Sequence, residues 1–167
     1  MENNISVNLE NLSEEEREQL MKIIKKSNGS KRNIWKPEYD EWYFYVSGYG
    51  IVGSNVWINA YIDNGYYEIG NCFKTEEEAD FALEKLKVEA ELRRFAEENN
   101  EYEIDWKDDD QEKWFMYYNC DMKKIDIIYN TVLKTHCIYF SSKKIAKQAI
   151  DYIGEERLKK YYLGIED

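Results

Sequence analysis

Two rhythms of apolar and polar positions run along this chain. From Ser13, "SEEEREQLMKIIKK" places Leu20, Met21, Ile23 and Ile24 on one narrow helical stripe. Ser13 and Glu16 stand at capping-box spacing, so each can satisfy the other's backbone N–H. Acids lead and Lys22, Lys25 and Lys26 follow, which suits the helix dipole. Gly29 in "SNGS" is a natural stop, and the first ten residues are expected to be loose. "KRNIWKPEYD" then reads as a connector holding the only proline, Pro37. The first helix is therefore predicted to be a separable arm.

The rhythm changes at Trp42. "WYFYVSGYGIVGSNVWINAYIDNGYYEIGNCF" sets aromatic and β-branched residues between Gly, Asn and Asp turns. It predicts strands over 42–47, 55–62 and 66–72, with a hairpin turn at "DNG", 63–65. A helix over 76–98 follows, with Thr75 and Glu78 as a second capping box. Its predicted apolar face carries Ala79, Phe81, Ala82, Leu86, Val88, Leu92 and Phe95. After an acidic linker the strand rhythm returns in "KWFMYYNC", "KKIDIIYNT" and "THCIYF". Ser142 then caps a helix to Ile153, Gly154 ends it, and "EERLKKYYLGI" predicts a short terminal helix or turn.

The two halves share a spacing. Phe73, Ala79, Ala82 and Leu86 correspond to Phe140, Ala146, Ala149 and Ile153. In each half a Phe closes the last strand, a Thr or Ser two residues on caps the helix, and small residues let the helix lie close to the strands. The expected fold is α+β: two β-β-β-α units with antiparallel meander sheets, preceded by an N-terminal helix. The expected boundaries are 1–30 for the helical arm, 31–100 for the first unit and 101–167 for the second.

Composition narrows the partners. The 167 residues are 43% hydrophobic, enough for a real core. The fifteen tyrosines accompany abundant Asn, Lys and Ile, as AT-rich codon usage would give. Net charge is −11, from 34 acidic and 23 basic residues. The stretch 97–112, "EENNEYEIDWKDDDQE", holds nine acids and one lysine, so about three-quarters of that charge sits there. Such a chain is repelled by phosphate backbones and anionic lipid, which makes duplex DNA and membranes poor partners. No apolar run long enough to span a bilayer and no signal peptide is expected. Cys72, Cys120 and Cys137, an odd count without CxxC spacing, read as reduced thiols in a cytosol.

No motif carries an enzyme signature. "GYGIVG", 48–53, matches G-x-G-x-x-G, but a dinucleotide site needs a helix next and here a strand follows. A kinase-type loop would need a lysine on the following strand, and "VWINAYID" has none. These glycines read as hairpin residues. "DWKDDDQE" lacks the register and turn glycine of a calcium loop. His136, the only histidine, neighbours Cys137, but adjacent strand residues point to opposite faces. Neither a catalytic residue, nor a metal site, nor a cofactor is expected. The aromatics are the other feature. Alternation would expose about half of those in the first meander, with Trp42, Phe44, Trp57 and Tyr61 as a candidate stacking surface.

Three longer runs carry a resemblance: "NLSEEEREQLMKIIKKSN" with "IWKPEYDEWYFY", "GNCFKTEEEADFALEKLKVEAELRRFAEENN", and "YFSSKKIAKQAIDYIGEERLKKYYLGI". With their motifs W-K-P, G-N-x-F-x-T-x-E-E-A and I-G-E-x-R-L-K-K-Y-Y, they resemble an uncharacterised family of small phage and prophage proteins from AT-rich Gram-positive bacteria. The resemblance spans nearly the whole chain from Leu12. It departs at Asp40-Glu41, where a Gly-Glu turn is usual. It implies a setting, the host bacterial cytoplasm, and no activity or functional residue.

The leading expectation is a non-enzymatic phage accessory protein that binds a host protein stoichiometrically and inhibits it, as anti-CRISPR proteins do with defence nucleases. The expected contact residues are Glu101, Glu103, Asp105, Trp106, Asp108, Asp109 and Asp110, a segment mimicking nucleic acid toward a basic surface. The alternative expectation is a binder of single-stranded nucleic acid or of a signalling nucleotide through the aromatic surface. A third is an assembly role, with the N-terminal helix as a dimerising arm.

Overall fold

The computed structural model describes residues 12–27 and 34–165. The chain divides into two compact units, Met1–Lys36 and Pro37–Asp167. In the first, helix α1 spans Glu14–Ser27. Its capping box is formed: Glu16 N donates to Ser13 Oγ (3.3 Å) and Ser13 N to a Glu16 carboxylate oxygen (2.9 Å). Met21 and Ile23, two of its apolar stripe, are exposed. The Gly29 stop and the first ten residues lie outside the described residues.

The second unit is α+β. Strands β1 (Trp42–Val46) and β2 (Val52–Val56) form one antiparallel hairpin. Helices α2 (Tyr61–Glu68) and α3 (Glu76–Asn99) follow. Strands β3 (Lys113–Asn119) and β4 (Lys124–Asn130) form the second hairpin. Helix α4 (Lys143–Ile153), a single turn α5 (Glu155–Arg157) and a π-helical turn over Leu158–Tyr162 complete the unit. The glycines of "GYGIVG" make the first hairpin. Gly50 takes φ +73°, and Gly53 lies under the Tyr45 ring, where an added Cβ would come within 2.8 Å of it. Asp40, at the turn before β1, holds φ 67°, the left-handed region that favours glycine.

The first unit's predicted third strand, over 66–72, and its "DNG" hairpin are replaced by α2. Two positive-φ residues would have been needed for that hairpin. Instead the buried Asp63 carboxylate accepts from Ile58 N (3.0 Å), Ala60 N (2.9 Å) and the Tyr43 hydroxyl (2.8 Å). Those bonds fix the start of α2 beneath β1 and lay Tyr66 flat on Tyr45, with ring centroids 4.5 Å apart. The strand predicted over 55–62 accordingly ends at Val56 and starts earlier, at Val52.

What remains of each third strand is one residue. Phe73 exchanges both backbone hydrogen bonds with Phe44 (2.9 Å each), and Phe140 does so with Trp114 (2.9 and 2.7 Å). Beside Phe73 the ladder is continued by a side chain. The Asn71 carboxamide accepts from Val46 N and donates to Val46 O, both at 2.8 Å, as a peptide group would. The strand predicted at "THCIYF" likewise contracts to the Phe140 bridge.

The capping signals hold at both later helices. Glu78 N donates to Thr75 Oγ1 (3.2 Å), and Ile145 N to Ser142 Oγ (3.3 Å). Ala79 and Ala146 are both fully buried. The match ends there, because Ala149 and Ile153 are buried while Ala82 is half-buried and Leu86 is 57% exposed. α3 serves both the first hairpin and the main core. Its first half lies against β1 and β2. Its second half enters the main core, where Val88, Leu92 and Ala96 join Met116, Phe140, Ile145, Ala149 and Leu158. Arg157 ties the helix to the chain end by a two-pronged bond to Glu91 (2.7 and 3.1 Å).

Candidate binding surface in the acidic loop

The acidic stretch is an ordered loop. Asn100, at the end of α3, uses its side chain as a clasp: it donates to Tyr139 O (3.2 Å) and accepts from Ser141 N (2.9 Å). Glu101 N donates to Ser141 Oγ (2.9 Å). The Tyr102 hydroxyl stands 2.6 Å from Ser141 O and 3.0 Å from Glu112 O, closing the loop's two ends together. Gln111 braces the middle, accepting from Asp105 N (2.8 Å) and donating to Glu103 O (3.1 Å). Trp106 folds back and sets its ring edge-on to Tyr139 at 4.8 Å.

Lys113 holds the whole arrangement. It is fully buried, and its three ammonium donors meet three backbone carbonyls: Asp108 (2.7 Å), Gln111 (2.9 Å) and Thr131 (3.0 Å). A buried cation is tolerable only when every donor is met, and here all three are. Its ammonium also stands 5.3 Å from the centre of the Trp106 ring. Sequence reasoning missed Lys113. The available signal was alternation: Lys113 shares a strand face with Phe115, and Phe115 packs on Tyr139 at 5.6 Å.

The carboxylates are left outward. Glu101, Glu103, Asp105, Asp108, Asp109, Asp110 and Glu112 are all exposed. None of them forms an ion pair with a Lys or Arg among the described residues. Asp105 and Asp108 spend one oxygen each on local backbone N–H groups, of Lys107 and Asp110. The acids of α3 differ, since Glu84, Glu89 and Glu91 are all paired with cations. Burial first, and the charges of Glu112, Glu101 and Asp108 after it, raise the Tyr102 phenol above its ordinary range. Glu97 and Glu98 extend the acidic surface into the last turn of α3, where the helix dipole disfavours negative charge.

The expected contact residues thus fall on one loop, with Trp106 turned inward as an anchor. The alternative aromatic surface does not come together. Trp57 is 3% exposed and sits edge-on to Tyr43, whereas Trp42 is 60% exposed, Phe44 is half-buried and Tyr61, 96% exposed, lies on α2. Alternation failed there because α2 covers the Tyr43 face. His136 is exposed and Cys137 half-buried. Among the described residues no three His, Cys, Asp or Glu side chains gather as a metal site, and no helix is long and apolar enough to cross a membrane. Comparison with family models, with curated proteins and with solved structures finds no match.

If Lys113 is the pin, Lys113→Met should cost about 3 kcal/mol, since three carbonyls lose a charged donor. Amide exchange should rise selectively across 101–112. Stability within about 0.5 kcal/mol of wild type would remove Lys113 from that role.

Proposed function

We propose that this protein is a stoichiometric, non-enzymatic binding protein that presents the loop 101–112 to a basic, nucleic-acid-handling surface of a host protein. The observation carrying this reading is the combination of seven exposed, unpaired carboxylates with a backbone braced by Lys113. Charges held in place before encounter lose little entropy on binding, and they steer association toward positive potential. The resemblance to small phage proteins makes a bacterial defence nuclease the partner to test first, in the host cytoplasm. The reading keeps the architecture of two β-β-β-α units, with each third strand reduced to its Phe bridge.

The experiment is binding of the full chain to nucleases captured from a host lysate. Changing Asp108, Asp109 and Asp110 together to Asn should weaken binding about tenfold at low salt and flatten its salt dependence. The fold should be unaffected, because all three side chains are exposed. Unchanged affinity with an unchanged salt slope would sink the acidic-mimic mechanism.

A further inference from the structure

Behind the acidic loop runs a cleft that shares Glu103 and Trp106 with it. Along one side of α3, Lys85, Glu89, Arg93 and Glu97 recur every fourth residue, a stripe about 18 Å long. The irregular segment 134–139 faces it, and two adjoining cavities of about 560 and 460 Å³ lie between them. Arg93, Lys134, Thr135, Cys137 and Ile138 line both. Such volumes are those of small-molecule sites.

The two chambers differ in chemistry. The larger has an aromatic wall of Tyr102, Trp106 and Tyr139, with Glu97 and Glu103 beside it. The smaller brings Lys85, Arg93, Lys134 and His136 together against one acid, Glu89, and adds the Tyr161 and Tyr162 side chains. In a chain of net charge −11 that is a local reversal of sign. Arg93 donates to Glu89 at 2.7 Å, and a guanidinium has five N–H groups, so donors are left for an anion. The Lys134 ammonium stands 5.6 Å from the centre of the Trp106 ring, at the junction of the chambers.

We propose that this cleft binds a small anionic ligand with a planar ring, the chemistry of a nucleoside phosphate. The ring occupies the aromatic chamber, where base–aromatic stacking contributes about 1–3 kcal/mol. Its N–H donors meet the Glu97 and Glu103 carboxylates, and its anionic group meets Arg93 and Lys134. Ring and anion are needed together, because the aromatic wall lines one chamber and most of the cations the other.

Calorimetric titration of the full chain with guanosine 5′-monophosphate, guanosine and inorganic phosphate tests this. The monophosphate should bind at least about tenfold more tightly than either fragment, in line with two chambers each contributing a charged or stacked contact. Arg93→Ala and Lys134→Ala, both exposed positions that should fold normally, should each weaken it by a similar factor. Trp106→Phe should remove the accompanying fluorescence quenching. The Asp108, Asp109 and Asp110 triple variant should bind the monophosphate as wild type does, so failure here is separable from failure of the acidic-loop reading. No binding of the monophosphate at millimolar concentration, or binding unchanged in both cation variants, overturns the proposal.

Discussion

Asp63→Ala is expected to lose about 4 kcal/mol, a large fraction of a typical domain's 5–15 kcal/mol. The substitution strands three donors at once: the buried Tyr43 hydroxyl, worth about 1–3 kcal/mol when unsatisfied, and the part-buried N–H groups of Ile58 and Ala60. It also releases the start of α2, and with it the Tyr66 ring stacked on Tyr45. The effect depends on pH in a defined direction. Burial raises the Asp63 carboxyl, but the bonds from Ala60, Tyr43 and Ile58 outweigh it and leave the group below its ordinary value. A carboxylate depressed in the folded state contributes fully above its unfolded pKa of about 4, and that contribution fades as pH falls through the folded value. Urea titrations at pH 7 and pH 3 should therefore show the gap between wild type and variant narrowing in acid. A gap that is constant or widens would show that Asp63 is not held as a carboxylate.

Phe140→Ala should cost about 3–5 kcal/mol, and Phe73→Ala clearly less. Both residues make the same pair of backbone bonds to the first strand of their hairpins. Their side chains differ, since Phe140 is fully buried within the main core while Phe73 is half-buried at the edge of a groove. Equal losses in denaturant melts would mean that the two bridges are equivalent in packing as well as in pairing, against the burial seen here.

These sites mark where sequence reasoning was strong and where it stopped. Ser13, Thr75 and Ser142 were legible because a cap and its partner lie three residues apart. β1, β3 and β4 were legible because alternation is local. α2 was not, because Asp63 owes its place to Tyr43, twenty residues earlier. The third strand of the first hairpin was overdrawn because the Asn71 side chain imitates a peptide group, which no propensity reports. The acidic run was plain as charge. Its order was not, since that depends on Asn100 meeting Ser141 and on Lys113 meeting Thr131, pairs distant in the chain.

The sharing of α3 between the first hairpin and the main core has a consequence during synthesis. When the helix leaves the ribosome, the first hairpin that it packs against is already made. Val88, Leu92 and Ala96 do not, because Phe140, Ala149 and Leu158 are still to be made. At about 5–20 residues per second, that apolar face stands uncovered for several seconds. The nascent chain is most prone to chaperone capture and to self-association in that interval, and the acidic stretch emerging next keeps neighbouring copies apart by charge.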